Sequence, residues 1–390
     1  MRRRHVTSTL TNALAALAPQ LIALILLPPD DFGNFSFTYL AYALGISLSL
    51  SIVAEPWHLR SLDGKQSNWS DFAVVSAILA VVLGLLAWLA EGMLDSSRLL
   101  GPVAAIAIAA GIFRASARYY LIQQDRAGRA NAFDMVFAGL LVCSVILILF
   151  FKFDLLLGIY LGWSAAGLGS LFLLPRVSLA DASPHTWLQR HSKHIRRLLS
   201  DSIMMDVGSI FTPALIAPAL GAAAFGIYRA ISNVTAPVRL ILNPLRPAIT
   251  EGRDSEASRG SRATMVVLVG GLALALTASA TLIAIHSLGL RLGVLNSLFP
   301  FIPAVAITLW ANFVGHYFYI RARSRFSGRA LISTRIAQTT IVSLLPLAGT
   351  YLHGLEGAIW SAAAANLLVA ALWAWMDRNQ RGRLVGSSTA

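Results

Sequence analysis

The chain is predicted to fold as an all-α integral membrane protein, with about twelve transmembrane helices in two six-helix bundles related by a parallel internal repeat. Three observations carry this prediction. Of its 390 residues 56% are hydrophobic and 13% charged, and the mean hydropathy is +0.68, a composition unlike that of soluble domains. Apolar stretches close to the roughly 20 residues needed to cross a bilayer follow one another along nearly the whole length. Short sequence matches recur in the same order in the two halves. A backbone in lipid must satisfy its own hydrogen bonds, so such spans are helices; a β-barrel would show short alternating strands instead.

The first six spans are drawn at 6–28, 33–56, 71–91, 99–121, 133–151 and 155–175, and the second six at 201–220, 225–249, 263–286, 299–320, 330–350 and 355–376. This gives an N-terminal bundle (1–176), a cytoplasmic amphipathic linker (177–200), a C-terminal bundle (201–376) and a cytoplasmic tail (377–390). Basic residues are retained on the cytoplasmic side of a membrane. Apart from six arginines inside spans, every Lys and Arg except Arg98, Lys152 and Arg291 falls on the amino-terminal side. Both termini are therefore expected in the cytoplasm, and the protein in a bacterial inner membrane. Met1 to His5 and the apolar run behind them resemble a secretory signal. That run continues to Pro28, however, and Pro19 would directly follow a cleavage at Ala16-Leu17-Ala18, so it is read as a retained first helix.

The net charge of +13 follows from the same sorting and from attraction to anionic head groups, which makes anionic membrane lipids the expected partner and not nucleic acid. The single cysteine, Cys143, lies mid-span, so neither a disulfide nor a cysteine metal site is proposed. In the linker, Trp187-Leu188, Ile195 and Leu198-Leu199 alternate with Arg190, Lys193, Arg196 and Arg197, the pattern of an amphipathic helix on the inner surface. His185, His191 and His194 cluster there without acidic or cysteine companions, and no metal or cofactor is expected. His316, beside Tyr317 and Tyr319 in the tenth span, reads either as a cavity-lining residue or, in preference, as a hydrogen-bonded structural histidine.

Four matches define the repeat. Pro19-Gln20-Leu21-Ile22-Ala23 recurs as Pro213-Ala214-Leu215-Ile216-Ala217, and Phe32-Gly33-Asn34-Phe35 as Phe225-Gly226-Ile227-Tyr228. Phe113, Tyr119 and Gly128-Arg129-Ala130 match Phe313, Tyr319 and Gly328-Arg329-Ala330; Trp163-Ser164-Ala165-Ala166 matches Trp360-Ser361-Ala362-Ala363. Six spans per copy is an even number, so the copies enter the membrane in the same direction and are expected to enclose a cleft. Pro19, Pro213, Pro218, Pro237 and Pro244 lie inside spans and bend or break them.

The buried charges are the functional signal. Arg114, Arg118, Arg229, Arg239, Arg246 and Arg335 lie within spans, where a guanidinium near the bilayer centre costs about 2.5 to 3.5 kcal/mol. Only Glu55, Asp134 and Asp206 lie at similar depth, so the interior keeps a positive surplus suited to an anion. Arg239 and Arg246 are seven residues apart and share a helix face, and Arg114 and Arg118 are one turn apart. Arg239 and Arg114 are the deepest. Arg118, Arg246, Arg335 and Arg229 lie nearer span ends, where a long side chain also reaches head groups. Forked, permanently charged arginine suits phosphate. Glu55, Asp134 and Asp206 either pair with the arginines or carry coupling protons or sodium.

No Walker A loop, HExxH pair or Gly-x-Ser-x-Gly elbow is present. The expected outer loops are too short for a polymerase or ligase domain, so the chain is not read as an enzyme. An intramembrane glycosyltransferase acting through Glu55 or Asp134 is the enzyme alternative. A passive scaffold would leave the buried arginines unexplained.

The two sets of six spans, Phe32-Gly33-x-Phe35 opening the second span after Pro28-Pro29-Asp30-Asp31, and the arginine-lined interior resemble the polysaccharide-exporting, Wzx-type flippase branch of the MOP superfamily. The resemblance covers about residues 6–376 and implies flipping of undecaprenyl-diphosphate-linked oligosaccharide, with polysaccharide polymerase machinery as a partner. Arg239 and Arg114 would then capture the diphosphate and Arg118 and Arg246 guide it in, with Arg229 and Arg335 completing the anionic site. The first span has no arginine, so the cationic site of peptidoglycan-precursor flippases is not carried over. The multidrug-extruding MATE branch shares the architecture, but cationic drugs favour an acidic or aromatic cavity.

Overall fold

A computed structural model describes residues 2–62, 68–92, 99–235, the single positions 238, 242 and 249, and residues 257–325 and 328–387. Every regular element among them is helical. Eight helices are long and apolar enough to cross a membrane, or nine if one bent pair counts as a span. Large apolar side chains lie on their outer surfaces, Leu89, Phe150 and Val266 among them, as lipid contact requires.

The chain forms two compact units, one of residues 1–27 and 34–210, the other of 28–33 and 211–390. In the first unit α1 (Arg2–Leu26) ends before Pro28-Pro29, and α2 (Pro29–Ser49) passes through a π-helical turn, Leu50–Ala54, into α3 (Glu55–Leu62). There follow α4 (Trp69–Gly92), α5 (Leu100–Gln123), α6 (Ala127–Phe151), α7 (Leu155–Ser170) and α8 (Pro184–Asp206). Alanine and glycine at Gly101, Ala104, Ala105, Ala107, Ala110 and Gly111 give α5 a small-residue surface, and it becomes the most enclosed span.

The linker differs from its expectation. The amphipathic helix does not stop at 200: α8 runs on to Asp206, and a second π-helical turn, Val207–Phe211, carries it into α9 (Thr212–Leu220). The reason lies in the sequence, which offers no Gly or Pro between Pro184 and Asp206 to end the helix. Nor does α8 simply lie on a surface. Trp187 is fully buried among Trp57, Trp69 and Phe72, and His191 stacks on Trp187 at 4.1 Å while bonding its carbonyl at 2.8 Å. The connection into α8 is fixed to the start of α4 by Ser178 N to Ser70 Oγ (3.1 Å) and Ser183 N to Asp71 Oδ1 (2.7 Å).

The second unit contains α9, α10 (Ala222–Val234), α11 (Ala257–Ser287), a 3₁₀ stretch Gly293–Phe301, α12 (Ile302–Arg325) and α13 (Gly328–Ser387). The 60 residues of α13 would be roughly 90 Å long as one straight helix, three times the apolar thickness of a bilayer. It reverses instead at His353 and Gly354, the latter at φ 57°. A Cβ on Gly349 would lie 2.3 Å from the Gly357 carbonyl oxygen, and one on Gly357 2.0 Å from that of Gly349, so the two arms meet backbone to backbone.

The start of α2 also belongs to this unit. A Cβ on Gly33 would sit 1.9 Å from the Ala222 carbonyl oxygen, and one on Gly226 would sit 2.2 Å from that of Pro29. These are the glycines of the two matching Phe-Gly segments, and the contact is reciprocal: each glycine meets the backbone at the start of the other's helix. Phe32 and Phe225 are both fully buried beside it. The matching tryptophans differ in surroundings, Trp163 being buried and Trp360 46% exposed.

Candidate functional site

In the first unit α5 and α6 bring together Arg114, Arg118 and Asp134. Arg114 Nη1 donates to Asp134 Oδ1 at 2.9 Å and Arg118 Nε to Oδ2 at 2.6 Å, so each carboxylate oxygen is held by its own guanidinium. The one-turn spacing of the arginines lets both reach a single acid. The Arg114 and Asp134 side chains are 3% and 0% exposed, whereas Arg118 is 14% exposed. The guanidinium of Arg114 also lies 4.1 Å above the Phe137 ring and donates to the Tyr42 hydroxyl from α2. Its Nε, buried, has no hydrogen-bond partner among the described residues. Two cations share one anion, so the triad retains a positive charge and a spare donor in a low-dielectric setting.

The remaining acids are dispersed. Glu55 opens α3, half-buried, near Tyr119, whose hydroxyl bonds Gln123 and whose ring lies 6.4 Å from that of His58. Asp206 closes α8, is buried, and accepts a hydrogen bond from Ser47 of α2. In the second unit half-buried Arg229 sits on α10 beside buried Tyr228. Arg335 lies 4.6 Å above the ring of Tyr319 and bonds its hydroxyl (3.3 Å) and Gln338 Oε1 (3.2 Å); Gln338 Oε1 also accepts from Trp373 Nε1 at 3.0 Å. Arg239 and Arg246 lie outside the described residues, as do Pro237 and Pro244.

A second buried ion pair escaped the sequence reading. Arg321 Nη2 lies 3.4 Å from Asp377 Oδ2, both almost fully enclosed, with Tyr317 supplying a hydroxyl at 3.4 Å and a ring at 5.6 Å. The spans were drawn to 320 and 376, one residue short of each. The available signal was the helical period itself: Arg321 follows Tyr317 by one turn, with no breaker between them. Further along the same two helices Asn312 Nδ2 donates to Asn366 Oδ1 at 3.1 Å, another polar link between α12 and α13. Among the described residues no group of three or more His, Cys, Asp and Glu could hold a metal ion.

No protein-family profile matches this sequence, and no curated protein matches it. Solved structures do. The chain aligns with the inward-facing conformation of a multidrug resistance MATE family transporter of the MOP superfamily at TM-score 0.62 and 15% identity, covering 98% of this chain and 96% of that one. An outward-facing conformation of such a transporter aligns at TM-score 0.52 and 15% identity, over 99% and 95%. A mutant Vibrio cholerae MATE transporter aligns at TM-score 0.54 and 14% identity, over 97% and 95%. At such identity the likeness concerns architecture, and the fold of this chain is that of the MATE transporters of the MOP superfamily.

Proposed function

We propose that the protein flips polyprenyl-diphosphate-linked oligosaccharide across a bacterial inner membrane by alternating access, with twelve spans in two repeated bundles. The observation that carries this reading is the surplus of arginine at membrane depth. With Arg321 and Asp377 included, seven arginines stand against four acids by sequence, which leaves three uncompensated positive charges (7 minus 4). An interior of that sign attracts a diphosphate and repels an organic cation. Alternating access is supported by neighbours of the same fold solved both inward- and outward-facing.

Asp134 holds Arg114 and Arg118 in place without cargo. Arg118, the more exposed, is the arm that leaves the carboxylate for a phosphate oxygen, and Arg114 stays as the anchor with its Nε to offer. Arg239 and Arg246 supply further donors. A diphosphate carries more charge than one carboxylate and accepts arginine forks at two oxygens, so it competes for them. The sugar moiety would follow the polar side chains while the polyprenyl tail stays in lipid.

The rival reading is export of cationic drugs, suggested by the multidrug resistance described for neighbours of the same fold. Mass spectrometry of lipid extracts separates the two. Cells lacking the protein are expected to accumulate a complete polyprenyl-diphosphate-linked repeat unit that complementation removes. An unchanged lipid profile combined with new sensitivity to cationic drugs overturns the flippase. Arg239→Ala, inserted at normal levels yet flipping normally, would remove that residue from the site.

A further inference from the structure

Arg114 and Arg118 share Asp134, and Arg321 pairs with Asp377. Arg335 is held differently. Its guanidinium lies 4.6 Å over the Tyr319 ring, its Nη2 donates to that tyrosine's hydroxyl at 3.3 Å, and its Nη1 donates to Gln338 Oε1 at 3.2 Å. No ion pair to Arg335 occurs among the described residues. A half-buried cation is therefore fixed there by neutral groups alone, with its charge left uncompensated.

The amide of Gln338 can sit only one way round. Its Oε1 accepts from Arg335 Nη1 and from Trp373 Nε1 at 3.0 Å, and both partners are donors without acceptor capacity. The amide nitrogen must face away from them, and it has no hydrogen-bond partner among the described residues. Trp373 is fully buried, its ring 5.4 Å from that of Tyr319, so Gln338 is anchored to the second arm of α13 while it steers Arg335 on the first. The guanidinium keeps donors in reserve beyond the two it uses, one turn from the amide N–H groups.

Shape does not explain a glutamine at this position. Glutamate has the same outline and would accept the same two bonds, and the bond from Arg335 would then be charge-assisted and about twice as strong. A guanidinium within a span is costly, and a counter-charge would reduce that cost. Neutral Gln338 forgoes this stabilisation and leaves the charge for a ligand. We infer that Gln338 is a positioning residue for anion binding: it aims Arg335 without neutralising it, so that the guanidinium and the Gln338 amide together receive an oxyanion offering two oxygens side by side. A carboxylate on a sugar and a phosphate of the lipid linkage share that chemistry. The site is built within the second unit, from α12 and both arms of α13. The proposal rests on the reading of the chain as a carrier of anionic cargo and deepens it, adding a neutral residue to the recognition of that cargo.

The probe is local to the site. Full-length protein labelled with fluorotryptophan is placed in lipid nanodiscs, and the fluorine resonance of Trp373 is assigned by its absence in Trp373→Phe. Inorganic diphosphate and methyl glucuronide are titrated separately. A saturable shift of that resonance is expected with at least one of them, and the tighter binder identifies the oxyanion as phosphate or carboxylate. In Gln338→Glu the affinity should fall by about tenfold or more, as for the loss of one hydrogen bond to a charged group, while thermal unfolding matches or exceeds that of the parent. A merely structural acceptor would be replaced without loss. Parental binding by Gln338→Glu therefore overturns the proposal, as does the absence of a saturable shift with either compound. Should Gln338→Glu misfold, Arg335→Gln decides: a lost shift supports the site and a parental one overturns it. A saturable shift in a protein whose loss leaves lipid-linked sugars unchanged would keep the site and discard the cargo; accumulation of those sugars without any shift would keep the cargo and discard the site.

Discussion

Asp134→Ala should be the most damaging single substitution in the first unit. It deletes the one acceptor of two guanidiniums, Arg114 at 2.9 Å and Arg118 at 2.6 Å. Breaking a buried ion pair by removing one partner costs about 3 to 5 kcal/mol, mostly from the charge left behind. Arg118 is partly exposed and can turn outward, but Arg114 is enclosed between Phe137 and Tyr42 and cannot. The expected loss is therefore near the upper end, about 4 to 5 kcal/mol. Arg114→Ala leaves Asp134 still paired with Arg118, and should cost only about 1.5 to 3 kcal/mol, the range of a hydrogen bond to a charged group. The assay is reversible unfolding in mixed micelles of rising SDS fraction, followed by far-UV circular dichroism. Asp134→Ala falling within about 1 kcal/mol of the parent, or Arg114→Ala costing more than Asp134→Ala, would refute this ordering and with it the view of Asp134 as the shared counter-ion.

The same unfolding assay checks four further predictions. Gly33→Ala and Gly226→Ala should each destabilise by about 1 to 3 kcal/mol, because the clashing atoms are backbone and cannot rotate away; parent-like stability would deny the close contact. Arg335→Lys keeps the charge but loses the planar stack on Tyr319 and one arm of its fork, an expected loss of about 1 kcal/mol. A double-mutant cycle of Arg321→Met with Asp377→Asn should give a coupling between about 0.5 and 3 kcal/mol, and additive effects would show the pair to be incidental. Trp187→Ala, which empties a fully buried indole site, should cost about 3 to 5 kcal/mol and, if α8 only lay on a lipid surface, would cost far less.

Much of this structure was legible in the chain, because lipid imposes simple rules. Helices had to form where apolar residues run on, and α4 to α7 occupy nearly the residues expected of them. Arg114 and Asp134 could be identified as enclosed from their depth alone. Their partnership could not, since a count of charges does not say which acid a flexible guanidinium reaches. Arg321 and Asp377 were lost to hydropathy, which marks where lipid ends and not where helices or protein interiors end. The extension of α8 to Asp206 was hidden for a related reason: its basic, polar face reads as a loop by charge, while its helical period continues unbroken into the next span. The π-turns over Leu50–Ala54 and Val207–Phe211 leave no mark in the hydrophobic period, which runs through both. The close meeting of Gly33 and Gly226 lies between those extremes, its residues visible as a repeat but their mutual contact not.

That contact bears on which changes the chain can tolerate. Residues 29 and 33 approach 222 and 226 in reciprocal fashion, so each glycine is walled in by main chain that no rotamer change can move aside. A side chain added at Gly33 or at Gly226 would have to separate the two helix starts, and shrinking a neighbouring side chain would not relieve it, because the obstacle is a carbonyl present in every residue type. The two positions are therefore locked to glycine by each other's backbones.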